Sequence, residues 1–265
     1  MTRKLKVLVV SLVLAACGQD GAAGSGDEAT LPPEGGLCPA GDGPAMVRIP
    51  EGCIDSTEVT RAQYQAWLEA GPGTDGRASA CDWNQSFEPT CGWPPGSNPD
   101  KPVVCVDWCD AAAYCEDAGK RLCGAIGGGA YDWEAYDDPL VSEWHAACSS
   151  GGSYDYTYGN DHDPAACRGA DEDMWAWVDV GSLSGCQSPD AAYAGVFDLS
   201  GNVLEWEDAC AGSGSAADAC RVRGGGFNYG GPGLRCDMGG GLEWARSEVH
   251  VGLGFRCCAT PEPPE

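Results

Sequence analysis

Three kinds of side chain in this sequence could carry chemistry: cysteines, carboxylates and a few histidines. Seventeen cysteines are present. A thiol can ligate a soft metal, attack an electrophile or pair with another thiol. Spacings such as Cys105-x3-Cys109 and the tandem Cys257-Cys258 do not form the paired C-x2-C knuckles of a zinc site, and His145, His162 and His250 are scattered. If Cys17 is set aside, sixteen remain, an even number that reads as eight disulfides in an exported chain, with a connectivity that spacing alone does not give. Among the carboxylates, Asp198 and Glu205 bracket one tight turn that also offers the carbonyls of Gly201 and Val203. These are hard oxygen donors of the kind that calcium gathers six to eight at a time, at about 2.4 Å. A hydrogen-bonded turn without metal is the alternative. Gly224-Gly225-Gly226 reads as strand and turn backbone, because no helix carrying a lysine follows it, and no G-x-S-x-G elbow or H-E-x-x-H helix is present. Asp171-Glu172-Asp173 reads as a solvated loop. Nothing singles out a carboxylate pair for acid–base work.

Cys17 belongs to a different context. Arg3, Lys4 and Lys6 precede an apolar run at residues 7–14, VLVVSLVL, which is shorter than the roughly 20 residues a membrane-spanning helix needs. Leu14-Ala15-Ala16-Cys17 follows and resembles the lipobox of bacterial lipoprotein precursors, in which the cysteine is acylated and becomes the new N-terminus. The expected organisation is a signal peptide over 1–16, a lipidated Cys17 with a flexible tether over 17–36, one domain over 37–258 and a frayed tail over 259–265. No later segment is apolar enough to span a membrane, so contact with the bilayer is expected through the lipid alone. Loss of the three basic residues takes the formal charge from −25 to about −28. Such a polyanion repels nucleic acid and suits divalent cations or basic partners.

The elements that must position these residues are few. Thr60 with Gln63 forms a capping-box signature, Tyr64, Trp67 and Leu68 share a face behind it, and Gly71-Pro72 stops the helix. A second helix is expected from about Asp107, with Trp108, Ala112 and Cys115 on one face and Gly119 beyond its end. A third is expected from Asp138-Pro139, with Val141, Trp144 and Cys148 as its buried stripe. Met46-Val47-Arg48-Ile49, Arg221-Val222-Arg223 and Gly254-Phe255-Arg256-Cys257 read as short strands. With 40 glycines, much of the backbone must run through irregular turns. The ten tryptophans read as core anchors.

Six segments, in order, resemble the formylglycine-generating enzyme, or sulfatase-modifying factor, family. They are Asp55-x2-Glu58-Val59-Thr60; Pro102-Val103-Val104-x-Val106-Asp107-Trp108 with Gly119-Lys120-Arg121-Leu122; Ser142-Glu143-Trp144-x2-Ala147-Cys148; Gly195 through Trp206; Arg223-Gly224-Gly225-Gly226-Phe227; and Gly254-Phe255-Arg256-Cys257. The resemblance implies an α+β fold of low regularity, a variant of the C-type lectin architecture, here disulfide-rich. It implies disulfides Cys115–Cys257 and Cys148–Cys236. It also matches Asp198, Gly201, Val203 and Glu205, with Glu58, to family calcium ligands, whereas a second family calcium site is disfavoured by Cys167-Arg168.

Enzymes of the family hold copper between two thiolates spaced Cys-x4-Cys after the Arg-Gly-Gly-x-aromatic motif. Here that stretch, Asn228 to Arg235, contains no cysteine, and Cys236 falls at the disulfide position. Copper is therefore not expected, and the three histidines do not form the iron site of carbon–sulfur-bond-forming relatives. The expected function is a lipid-anchored cell-envelope module that binds a protein or glycan. The alternatives are a formylglycine-generating-type oxidase with a non-standard metal site and a purely structural surface protein.

Overall fold

The computed structural model describes residues 36–94, 96, 98–170, 176–238 and 242–263. The signal peptide, Cys17, nearly all of the tether and Asp171-Glu172-Asp173 lie outside the described residues.

Three helices form where side chains can close their first turns. Helix α1 (Arg61–Glu69) starts on Thr60, whose hydroxyl accepts from the Gln63 N–H while the Gln63 side chain accepts from the Thr60 N–H. Helix α2 (Trp108–Asp117) repeats the device with Asp107 and Asp110. Its buried surface runs almost all round, and Ala112 is among its less buried residues. Helix α3 (Glu143–Ser149) begins later than Asp138-Pro139 predicts. Asp138 accepts from the Leu140 N–H and closes a turn, and Ser142 takes the cap by accepting from the His145 N–H.

Among the described residues, eight short strands form two sheets. In the first, β1 (Met46–Ile49), β2 (Gly52–Asp55), β8 (Cys257–Ala259) and β3 (Arg121–Leu122) lie in the order β1-β2-β8-β3. In the second, β6 (Glu243–Ala245), β5 (Ala219–Arg223), β4 (Leu204–Cys210) and β7 (Leu253–Gly254) lie in the order β6-β5-β4-β7, with β4 and β7 parallel. The expected strand Gly254–Cys257 is thus two strands, one per sheet, and Phe255-Arg256 is the crossing between them. Gly254 has to be glycine, since a Cβ there would lie 2.4 Å from the Val103 carbonyl oxygen. The expected frayed tail is partly structured: Ala259 pairs with Cys53, and the Glu262 N–H donates to the Leu37 carbonyl.

One core joins α1 and α2 to the second sheet through Tyr64, Tyr114, Trp206, Val222, Leu253 and Phe255, with the Tyr64 and Tyr114 rings stacked at 5.6 Å. Another packs α3 on the first sheet through Ile49, Ile54, Trp144 and Leu199. Disulfides cross both. Cys115 bonds Cys257 and Cys123 bonds Cys258, so adjacent residues of β8 are tied to the chain 142 and 135 positions earlier. Cys148 bonds Cys236. The other pairs are Cys38–Cys53, Cys81–Cys109, Cys91–Cys105, Cys167–Cys186 and Cys210–Cys220. Every cysteine from Cys38 to Cys258 is therefore oxidised.

Candidate functional site

The crossing between the sheets carries the most heavily charged buried centre. Arg256 is fully buried, and its guanidinium makes a two-pronged pair with Glu205 of β4, with Nε and Nη2 each 2.7 Å from a carboxylate oxygen. The same guanidinium donates to the carbonyls of Asp55 and Phe197. The indole Nε1 of Trp144 donates to Glu205 at 2.8 Å. Beside it, Lys120 Nζ lies 2.7 Å from Asp55 Oδ1, both side chains being buried. Charges withdrawn this far from water persist only when paired and hydrogen-bonded.

Next to this saturated pair lies an unsaturated one. The turn from Asp198 to Asn202 holds both residues at positive φ, 66° and 58°, a region that Asp and Asn enter more readily than most side chains. Gly201 between them would place a Cβ 2.2 Å from the Arg168 carbonyl oxygen. The turn brings Asp198 toward Glu58. Glu58 Oε1 accepts from Asn202 Nδ2 at 3.0 Å, and Asp198 Oδ2 accepts from the Gly181 N–H at 2.6 Å. Their remaining oxygens, Glu58 Oε2 and Asp198 Oδ1, are buried without a hydrogen-bond partner. Burial first, and then the charge of Asp198, push Glu58 well above the ordinary carboxylate range. Burial pushes Asp198 up to about 6.

The expected calcium donors therefore divide. Glu58 and Asp198 present buried, unpartnered oxygens, which fit a hard cation. Glu205, expected to be a donor, is closed by Arg256 and Trp144. Among the described residues no group of three or more His, Cys, Asp or Glu side chains converges as a metal site. An ion at the turn would rest on the Glu58–Asp198 pair and on backbone oxygens such as those of Gly201 and Val203.

The stretch from Asn228 to Arg235, where the family's copper thiolates fall, exposes Asn228, Gly230 and Pro232 and buries Gly231, Gly233 and Leu234. It includes a single helical turn, Gly231–Leu234. A Cβ on Gly225 would lie 2.3 Å from the Gly233 carbonyl oxygen, one on Gly169 would lie 2.6 Å from Leu234 Cδ1, and one on Gly231 would meet the His162 ring at 2.9 Å. The Ala170 N–H donates to the Tyr229 carbonyl at 2.9 Å. Backbone, Leu234, Tyr229 and His162 lie close against the glycines on its buried side. The histidines stay apart: His162 lies there, His250 stands edge-on to Trp244, and His145 sits beside Glu207 and Arg223. Burial and then Arg223 push the His145 imidazole down to about 4.

Two features had no counterpart in the sequence reading. One is the buried Glu207, which accepts from Tyr131, Ser142 and Arg223 at 2.6 to 2.7 Å. The other is a pair of adjoining surface clefts of about 720 and 490 Å³ on either side of the Gln85–Glu88 loop. The second is floored by Asp107 and Asp110. The spacing Asp107-x2-Asp110 carries a capping signal, but nothing in it announces a cleft.

This fold has named relatives. The model of the sulfatase-modifying factor enzyme 1-like domain matches residues 21–261. The chain belongs to this family. Solved structures agree at the level of fold. PvdO from Pseudomonas aeruginosa superposes with a TM-score of 0.52 at 23% identity, covering 78% of this chain and 79% of its own. CarF gives 0.54 at 18%, with coverage of 84% and 96%. Treponema denticola variable protein 1 gives 0.50 at 18%, with coverage of 83% and 94%. A search of curated protein sequences gave no match. Within the sulfatase-modifying-factor family this chain keeps the scaffold and is rich in disulfides, which fits an oxidising compartment outside the cytosol. No helix among the described residues is long and apolar enough to cross a membrane.

Proposed function

We propose that this chain is a lipid-anchored binding module of the cell envelope, built on the sulfatase-modifying-factor scaffold, that does not perform copper-dependent cysteine oxidation. One observation carries the reading: all sixteen cysteines from Cys38 to Cys258 are spent in disulfides, and the segment that should present a thiolate pair, Asn228 to Arg235, contains no cysteine. A soft cuprous ion needs free thiolates, and the domain offers none. Lipidation at Cys17 would hold the domain at a membrane surface through its tether, and the ligand is a protein or a glycan.

The test loads the purified protein with Cu(I) and supplies a cysteine-containing peptide. Oxygen uptake should not exceed that of copper alone, and alkylation under denaturing conditions should label no cysteine between Cys38 and Cys258. Stoichiometric copper with turnover would overturn the reading. Mass spectrometry of membrane-extracted protein should find acyl chains on Cys17.

Calcium is the proposed cofactor, at the Glu58–Asp198 pair. It would supply the positive charge that two adjacent buried carboxylates lack. Calcium should raise the melting temperature of chelator-treated protein, and Asp198→Asn combined with Glu58→Gln should remove that increment. If the double variant responds to calcium as the parent does, the ion is held elsewhere.

A further inference from the structure

Helices α1 and α2 end at the same pocket. Ala70 caps the C-terminus of α1 and Ala118 that of α2, and both line a cavity of about 330 Å³. It shares no lining residue with the Glu58–Asp198 turn or the Asn228–Arg235 segment. Its volume lies at the lower end of the range for small-molecule sites, about 300–1,000 Å³. The walls are largely hydrocarbon. Ala66, Ala70 and Ala118 contribute methyl groups. Trp67 and Tyr114 contribute rings that meet as a corner, with centroids 5.4 Å apart and planes 75° apart.

One polar atom of this lining is left unmatched by the chain. Tyr114 is 2% exposed, yet its hydroxyl has no hydrogen-bond partner among the described residues. Tyr64, Tyr131 and Tyr193 are also buried, and each donates its hydroxyl, to the Phe87 carbonyl, Glu207 and Glu51 respectively. A buried tyrosine usually finds such a partner. Tyr114 instead turns its hydroxyl to the pocket, beside Gly43, which also lines it. A Cβ at Gly43 would lie 2.7 Å from the phenolic oxygen, so glycine leaves that oxygen open. Burial, and then the charges of Asp55 and Asp42, push the Tyr114 hydroxyl up. It therefore stays neutral and can both donate and accept.

The surrounding charge sets the sign of an occupant. The last carbonyls of a helix carry partial negative charge, and two helices bring theirs to this pocket. Asp42 lines it and forms no ion pair among the described residues. Asp117 lines it too, but is held by Arg77 and by the Trp67 indole. No lysine or arginine is part of the lining. Lys120, nearby in the chain, is spent on Asp55 and the Pro44 carbonyl. A carboxylate or phosphate would be repelled here. A bare metal ion would find one free carboxylate and hydrocarbon walls, far short of the six oxygens that a hard cation gathers. An organic ammonium uses every feature. Its N–H groups can donate to the phenolic oxygen and to Asp42, aromatic rings favour its charge, and its carbon body suits the alanine and tryptophan walls.

We propose that the pocket between the C-terminal ends of α1 and α2 binds a small organic ammonium, its nitrogen held by the Tyr114 hydroxyl and the Asp42 carboxylate and its hydrocarbon body laid against Trp67 and the three alanines. The site goes beyond the binding reading above and depends on neither copper, calcium nor the lipid anchor.

The experiment titrates the intact mature protein with phenethylammonium in a calorimeter. Phenethyl alcohol has the same shape without the charge, and 3-phenylpropanoate carries the opposite charge. The ammonium should bind about tenfold more tightly than the alcohol, and the carboxylate should give no binding heat. Tyr114→Phe removes only the hydroxyl and should weaken the ammonium about three- to tenfold. Its melting temperature should match the parent's, because that hydroxyl bonds nothing in the protein, whereas Tyr64→Phe should melt lower. Asp42→Asn should weaken binding about threefold or more, and Asp161→Asn, an exposed carboxylate outside the pocket, should leave it within about twofold. Ala66→Trp, on the exposed lip, should abolish binding by filling the cavity, with circular dichroism confirming the fold; Asp42→Asn, also exposed, decides the matter if Ala66→Trp does not fold. Equal losses from Asp42→Asn and Asp161→Asn would mean attraction to net charge alone and overturn the proposal. So would equal binding of all three compounds, no binding of the ammonium, or a melting temperature that falls as far for Tyr114→Phe as for Tyr64→Phe.

Discussion

At the scale of single residues, this molecule is organised by how completely its buried charges are matched. Arg256 and Glu205 satisfy each other and three further groups, so removing either partner leaves a bare charge in the core. Glu205→Gln and Arg256→Met should each cost about 3–5 kcal/mol in urea unfolding. The double variant should cost clearly less than the two singles added, because the orphaned charge is then gone. Strict additivity would show that the pair is not coupled as its geometry requires. The pair was not legible in the sequence. Its partners stand 51 positions apart and meet only because β7 runs parallel to β4 and the chain then crosses to the other sheet. Asp198 was legible as a turn residue. That Glu205 is not a free donor was hidden, since a carboxylate's availability depends on what folds against it.

At the scale of elements, short helices depend on side chains that close their ends. Thr60 and Gln63 announced α1 because both halves of the capping box lie within one turn of sequence. Asp138-Pro139 misplaced α3 because aspartate serves turns and caps equally well, and the later Ser142 also donates its hydroxyl to Glu207. At α2 the cap is itself a pH-sensitive element. Asp110 has its carboxyl raised to about 8 in the folded protein, against an ordinary 3.8. The native state therefore holds a proton that the unfolded chain releases, and stability falls as pH rises between those values. Asp107 and Asp55, each raised to about 6, act with the same sign, so the share of Asp110 is read by difference. Asp110→Asn should flatten the decline between about pH 5 and pH 8 in denaturant titrations. An unchanged slope would place the proton on another group.

At the scale of the whole molecule, strands of two to seven residues and, among the described residues, three α-helices of ten residues or fewer leave few regular hydrogen bonds to resist unfolding. Covalent cross-links take up that role. The Cys115–Cys257 bond closes a loop of 142 positions and, in the chain-entropy model, stabilises by about 4–5 kcal/mol, less any native strain. Replacing both cysteines with alanine should lower the denaturant midpoint by a corresponding amount without changing the far-ultraviolet spectrum of whatever protein remains folded. The smaller Cys210–Cys220 loop, with a separation of 10, should cost less when opened. The broad fold and two of these bonds could be anticipated because the motif order across the chain matched a family. The other pairings could not, because cysteine spacing does not report which strands become neighbours.

The double anchorage of β8 also sets a timetable. Its two cysteines are the last of the domain's sixteen to be synthesised, yet they fasten α2 and the segment beside β3, which were made more than a hundred residues earlier. The central strand of the first sheet thus arrives last, and until it does β2 and β3 have no common neighbour to pair with. The first sheet of this domain is accordingly completed only once β8 has been made. A nascent chain halted just short of Cys257 would present the unpaired thiols of Cys115 and Cys123 to any oxidant, and a thiol–disulfide shuffling catalyst would have its main work to do after Cys258 has been added.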